Sequence, residues 1–161
     1  MDTDKVHLSE YLPEHVVKYH EWMKDADLLS ATASEPLTLQ EERKMQQEWA
    51  KSDDKQTFII FFMSNIMVGD LNFFIDGNSA EINLMIAEKQ YRRMGIAATA
   101  LTMGMHWMVQ HKGIQKFIAK IDADNFQSIN FFKKLNFQQT GEVNIFNEIL
   151  FEKTNIDHVK T

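Results

Sequence analysis

Ala80-Glu81-Ile82-Asn83-Leu84-Met85-Ile86-Ala87, followed after Glu88-Lys89 by Gln90-Tyr91-Arg92-Arg93-Met94-Gly95-Ile96-Ala97-Ala98, is the stretch on which the fold turns. Its first half is apolar and reads as a strand, over about residues 80–88. Its second half opens a helical pattern, so the two together read as a strand feeding a small-residue turn at a helix N-terminus. Such a terminus leaves backbone N–H groups unpaired and carries the positive end of the helix dipole. Lys89, Arg92 and Arg93 stand beside it in sequence. Donors and charge of this kind suit the phosphates of a bound ligand.

Downstream, Leu101, Met105, Met108 and Val109 form an apolar stripe from Ile96 to His111. Lys112-Gly113 supplies the basic residue and glycine that close such a helix. Phe117-Ile118-Ala119-Lys120-Ile121 reads as a strand, residues 127–135 as a further helix, and Val143 to Phe151 as one or two last strands. Upstream, two apolar runs, Phe58 to Met63 and Ile66 to Ile75, flank Ser64-Asn65 and predict a β-hairpin. Asp76-Gly77-Asn78 has turn chemistry and links that hairpin to the strand at Ala80, which predicts a three-stranded antiparallel meander. Nearer the start, Val6 and Leu8 suit a short strand. Pro13 opens a helix carrying Val16, Tyr19, His20 and Met23, and Thr38-Leu39-Gln40-Glu41 is a capping box for a helix over about 39–51. The order of elements implies an α+β domain with a mixed sheet.

With 161 residues and no repeat, low-complexity tract or Pro/Gly-rich linker, a single domain over 1–161 is expected. At 44% hydrophobic and 25% charged, the composition is that of a globular protein with a real core. The absence of cysteine removes disulfides, thiolate metal sites and cysteine nucleophiles. A formal charge of -6 argues against broad nucleic-acid binding, which shows as a basic excess. The start Met1-Asp2-Thr3-Asp4-Lys5 lacks the basic and apolar runs of a signal peptide, and no segment is apolar enough for a membrane span. A cytoplasmic or nuclear protein with no membrane partner is therefore expected.

One glycine at a helix start is weak by itself, since a plain strand-to-helix connection looks the same. A dinucleotide fingerprint needs three glycines, and a P-loop needs Gly-Lys-Ser or Gly-Lys-Thr; neither occurs. The pattern Arg/Gln-x-x-Gly-x-Gly/Ala does occur, at Arg92, Gly95 and Ala97, with Asn125, Ser128, Leu135 and Phe137 downstream. At these residues the chain resembles the GCN5-related N-acetyltransferase superfamily, and the order of elements resembles that family's over most of the chain. Val68-Gly69-Asp70-Leu71-Asn72 and Asn125-Phe126-Gln127-Ser128 resemble its ribosomal-protein N-terminal acetyltransferase branch. Tyr19-His20-Glu21-Trp22-Met23-Lys24, Thr32 to Leu39 and Met85-Ile86-Ala87-Glu88 resemble the N-acetyltransferase 9 group.

The resemblance implies a six- or seven-stranded mixed sheet, about four helices, and strands splayed at a cofactor site. It implies acetyl-CoA as co-substrate, held along backbone groups of Met85, Ile86 and Ala87 and by the turn of Arg92, Arg93, Met94, Gly95, Ile96, Ala97 and Ala98. It implies transfer of the acetyl group to an amine by direct attack on the thioester, with a protein N-terminus as acceptor. Acyl transfer to an amine requires that the ammonium be deprotonated, and the family's strand position for a base falls on Glu81. Glu81 reads equally as a solvent-facing carboxylate at a strand start. Asn125 reads either as a ligand to cofactor or substrate or as a turn residue. Ser128 reads as an N-cap or as a group meeting the leaving sulfur.

Two departures from the family pattern stand out. Phe132 replaces the tyrosine that protonates the departing thiolate, and Asn136 replaces a glycine, where asparagine tolerates left-handed geometry. His106 has no partner at zinc-binding spacing, so no metal is expected. Trp22 and Trp49 read as groove cover or as core. Two alternatives follow. One is a non-catalytic or weakly catalytic acetyltransferase-fold protein that binds a partner, with tubulin or microtubules implied by the resemblance; the other is an acetyltransferase for small-molecule amines.

Overall fold

The two apolar runs in the middle of the chain pair as expected and become the centre of the sheet. The computed structural model describes residues 5–32 and 34–154. The polar start Met1 to Asp4, and Ala33 within the Thr32 to Leu39 string, lie outside them. β1 (Val6–Glu10), β2 (Lys55–Phe62), β3 (Ile66–Asp76) and β4 (Ser79–Ile86) pair successively antiparallel. β5 (Lys116–Asp122) then joins β4 in parallel, and β7 (Glu148–Thr154) and β6 (Gln138–Thr140) complete a seven-stranded mixed sheet in the order β1-β2-β3-β4-β5-β7-β6.

Five α-helices cover this sheet: α1 (Val16–Trp22), α2 (Ala26–Ala31), α3 (Leu39–Lys51), α4 (Ile96–Lys112) and α5 (Phe126–Lys134). The α3 capping box forms as read, with Thr38 Oγ1 accepting from the Glu41 N–H at 3.1 Å and Glu41 Oε1 accepting from the Thr38 N–H at 2.9 Å. α4 runs between two left-handed glycines, Gly95 and Gly113. Asn136 takes its left-handed conformation at φ 67°. Among the described residues, no helix is long and apolar enough to cross a membrane.

Several elements differ from the sequence reading. α2 was not anticipated; Asp25 caps it by accepting from the Asp27 N–H, a two-residue signal with too short an apolar pattern behind it to stand out. The strand expected to reach residue 88 ends at Ile86, because both the Ala87 and Glu88 N–H groups turn to the Val68 carbonyl. Val143 lies in the β6–β7 loop rather than in a strand, and β7 begins at Glu148 and runs to Thr154. Pro13–His15 is a short 3-10 turn before α1. The left-handed hairpin residues are Met63 and Ser64, one position earlier than Ser64-Asn65.

Alternation along the strands divides the sheet into two unlike faces. Phe58, Ile60, Leu71, Phe73, Ile82 and Phe117 pack against Ile96, Leu101, Met105 and Met108 of α4 as the main core. The opposite face is apolar where α1 and α2 lie on it, through Tyr19, Trp22, Met23 and Leu28 against Ile59, Met85 and Ala87. Beside that patch the face turns polar: Thr57, Asn72 and Asn83 stand in one cross-strand row. Trp22 is buried and Trp49 half-buried, both in aromatic contact with Tyr19.

Gly69 marks the tightest approach between β3 and β4. A Cβ there would collide with the Met85 carbonyl oxygen, a backbone atom that cannot move without its strand. Gly69→Ala is expected to cost about 1–3 kcal/mol, as overpacking against a rigid neighbour does, and to lower the midpoint of a thermal melt by several degrees. An unchanged melt would refute the close approach.

Candidate active site

β4 and β5 are paired only at Ser79–Lys116, Ala80–Phe117 and Glu81–Ile118. Past that point each strand keeps its outer partner, β3 or β7, and the two diverge. The gap is a cleft of about 920 Å³, floored by β4 and β5 and walled by α2 and α5. The Ala87 N–H points to β3, while the Ile86 carbonyl faces the other way and accepts from Arg92 Nε at 2.8 Å. Strand alternation therefore turns the backbone groups of Leu84 and Ile86 toward the gap. Within Met85-Ile86-Ala87, Ile86 is the residue whose backbone faces the cleft, and Ala87 has already committed its N–H.

A second cavity of about 540 Å³ continues the cleft past Ile86, between Arg92, Arg93, Gly95, Ala97 and Ala98 on one side and Asn130 and Lys134 on the other. Gly95 is the N-cap of α4 at φ 81°, and no side chain caps that helix. Its first N–H groups are thus without a side-chain partner beside four cationic residues, Lys89, Arg92, Arg93 and Lys134. Arg93 also adopts a left-handed conformation, φ 62°, which the sequence did not signal. An open strand edge leading to a cationic helix N-terminus accommodates an extended ligand that ends in phosphates. These residues fit a pantetheine arm and pyrophosphate.

Glu81 and Asn125 both line the cleft, as does Ser128. Glu81 is not buried: its side chain is 37% exposed and pairs with Lys120 Nζ at 2.9 Å across the diverging strands. Asn125 is the N-cap of α5, its Oδ1 accepting from the Ser128 N–H at 3.1 Å. The capping role considered for Ser128 therefore belongs to Asn125, and Ser128, inside the first turn, has its side chain free to face the cleft. Phe132 is buried, with its ring edge-on to Phe131 and Phe137. It brings no hydroxyl to the cleft.

At the far end of β4, Glu88 ties α1 to the cleft. It accepts from Trp22 Nε1 at 2.9 Å and pairs with Lys18 at 2.9 Å, and these partners hold its carboxyl below the usual range.

Of the two buried carboxylates among the described residues that sequence reasoning missed, Glu42 and Asp70, the one beside the cleft is Asp70, one strand in and opposite Met85. Asn72 Nδ2 donates to it at 2.9 Å, Thr57 Oγ1 donates to Asn72 Oδ1 at 2.7 Å, and the Tyr19 hydroxyl acts as a further donor. Burial outweighs these donors and the nearby Lys55 charge, pushing its carboxyl up from 3.8 to about 6. Burial likewise pulls Lys55 down to about 8; its ammonium lies 3.0 Å from the Trp49 ring centre. A period-two strand pattern with an Asp and an Asn on one face was the available signal, but it does not tell a solvated face from a covered one.

A domain model described as acetyltransferase (GNAT) domain matches residues 5–138. The chain is 42% identical over 160 residues to mouse alpha/beta-tubulin-N-acetyltransferase 9, covering 90% of this chain and 66% of that protein. It is 38% identical over 175 residues to the N-acetyltransferase 9-like protein of Dictyostelium discoideum, covering 94% and 82%. Among solved structures, the ribosomal L7/L12 alpha-N-protein acetyltransferase RimL in complex with coenzyme A superposes with a TM-score of 0.80 at 18% identity, over 93% of this chain and 94% of that one. Spermidine N-acetyltransferase from Vibrio cholerae with CoA and spermine gives 0.81 at 13% identity, over 92% and 94%. At such identities the likeness is one of fold.

Because folding raises the Asp70 pKa, the folded chain holds that proton more tightly than the unfolded chain does. Its contribution to stability is full below about pH 4 and is lost as pH rises through about 6. Asp70→Asn is therefore expected to flatten the fall in thermal stability between pH 4 and pH 7, a difference on the order of 2 kcal/mol. Parallel pH profiles for the two proteins would contradict this assignment.

Proposed function

The chain belongs to the GNAT acetyltransferase family, whose enzymes move an acetyl group from acetyl-CoA to an amine, and on that premise we propose that its acceptor is the amino terminus of a protein. The observation that carries the reading is the divergence of β4 and β5 beside the Gly95 turn, which leaves one open strand edge leading to one cationic helix start. When bound, acetyl-CoA supplies the activated acetyl group. The backbone of Leu84 and Ile86 pairs with its pantetheine arm as an added strand would. The turn from Arg92 to Ala98 takes the pyrophosphate. An N–H on the cleft side of β4 polarises the acetyl carbonyl.

Glu81 accepts the proton of the acceptor ammonium, directly or through water. Its place at the point of divergence, about 17 Å along the strand from Ile86 at the usual rise per residue, puts it at the far end of the cleft from the phosphate turn. Asn125 and Ser128 face the same space from α5. Two relatives named for acetylation of tubulin support a protein acceptor, and tubulin is the first to try. An α-amino group, with a pKa near 7.7–8.0, is also much easier to deprotonate than a lysine side chain.

The core packing of Phe132 favours a second reading, an enzyme with slow turnover whose main effect comes from binding its partner. With no hydroxyl acid in that position, the thiol departs as an anion. A leaving group with a pKa of about 8.5 tolerates that.

Titration calorimetry with CoA tests the cofactor site, and turnover of acetyl-CoA over a peptide set that includes tubulin amino termini, beside a polyamine panel, tests the acceptor. Gly95→Val is expected to weaken CoA binding by about tenfold or more, because it strains a left-handed residue and fills the approach to the phosphate. Unchanged affinity would remove the phosphate role from this turn. Turnover confined to polyamines would replace the protein acceptor with a small molecule.

A further inference from the structure

Glu81 and Lys120 meet where the two strands part. Backbone pairing between β4 and β5 ends at Glu81 and Ile118, and Lys120 is the next residue of β5 on the same face. Its Nζ lies 2.9 Å from Glu81 Oε1, and both side chains line the cleft. The Lys120 side chain is 51% exposed, so the pair is open to solvent and to whatever enters the cleft. A solvated pair of this kind adds little to stability. Its chemistry is more informative, because an ammonium held against the proton acceptor at the closed end of the cleft is the arrangement an acceptor amine itself must adopt.

Building on the acetyl transfer and the Glu81 role proposed above, we propose that the Lys120 ammonium occupies the acceptor-amine position in the free enzyme, and that the protein acetylates this lysine when no acceptor is present. Glu81 takes a proton from Nζ, and the freed lone pair forms a C–N bond to the acetyl carbonyl carbon as the C–S bond breaks. CoA leaves as its thiolate, which takes up, through water, the second proton that the nitrogen sheds as it becomes an amide; Glu81 returns its own proton to solvent, and the lysine becomes ε-N-acetyl-lysine. The resting state is protected, because pairing with Glu81 raises the pKa of the Lys120 ammonium and keeps it protonated. An arriving α-amine, which gives up its proton far more readily, displaces Lys120 and reacts first. The other lysines paired with carboxylates among the described residues, Lys18 with Glu88 and Lys116 with Glu152, do not stand at the divergence.

The test is site-resolved mass spectrometry of the full chain incubated with acetyl-CoA, with and without an acceptor peptide that it turns over. CoA binding and peptide turnover are measured on the same sample. Lys120 is expected to be acetylated about tenfold faster than exposed lysines such as Lys24 and Lys44. The reaction should be suppressed by saturating peptide and lost in Glu81→Gln, with Glu81→Asp keeping part of it. Lys120→Met should lower the KM for the acceptor more than it changes kcat. Uniform acetylation of all lysines, or a Lys120 rate indifferent to peptide and to both Glu81 variants in proteins that melt normally, would overturn the proposal. A protein that binds CoA and turns over peptide while leaving Lys120 untouched defeats this inference alone. Failure to bind CoA defeats the acetyltransferase reading beneath it.

Discussion

Everything about this molecule that concerns a ligand depends on hydrogen bonds that β4 and β5 do not make to each other. Backbone polar groups are almost always paired when sheltered from water, so a strand edge facing inward without a neighbour is an opening for something that can pair with it. The two strands can part because each is secured on its outer side. β4 is held along its length by β3, with Gly69 allowing the Met85 carbonyl to come close, and β5 is held by β7 from Lys116 to Asp122. The sheet therefore splits without fraying.

The opening also changes in charge along its length. One end has the bare N-terminus of α4, Lys89, Arg92 and Arg93; where the strands part stand Glu81 and Lys120, paired with each other. The cationic end suits an anionic ligand, within a chain whose formal charge is -6. The Glu88 contacts with Lys18 and Trp22 tie α1 to the chain just past β4, so that this helix and the strand end hold one relative position.

Local chemistry made much of this legible in the sequence. The Thr38 capping box, the glycines at both ends of α4 and the run from Ala80 to Ala98 each act within a few residues, and each appears where it was read, save that the strand of that run stops two residues early at Ile86. What stayed hidden depends on which surface ends up covered. Asp70 and Asn83 lie on the same face of adjacent strands, yet one is buried and the other exposed, because helices from elsewhere in the chain lie over only one of them. Glu81, read as a base or as a solvent-facing carboxylate, is half-open and paired, a pairing hidden in the sequence because Lys120 comes from a strand whose register with β4 no pattern within either segment specifies. Asn125 and Ser128 could each have capped α5 by type; only the backbone conformation of Asn125 decides between them.

Arg93 holds a left-handed conformation in the turn before α4, where a glycine would sit without strain. For a residue with a Cβ that conformation costs roughly 1–2 kcal/mol, which the folded chain carries whether or not a ligand is present. The turn thus keeps a guanidinium in a position where stability alone favours its removal. Selection for heat resistance would tend to replace it with glycine and lose cationic charge from the turn; under the cofactor-binding role proposed above, Arg93 is a position where durability and ligand affinity pull in opposite directions.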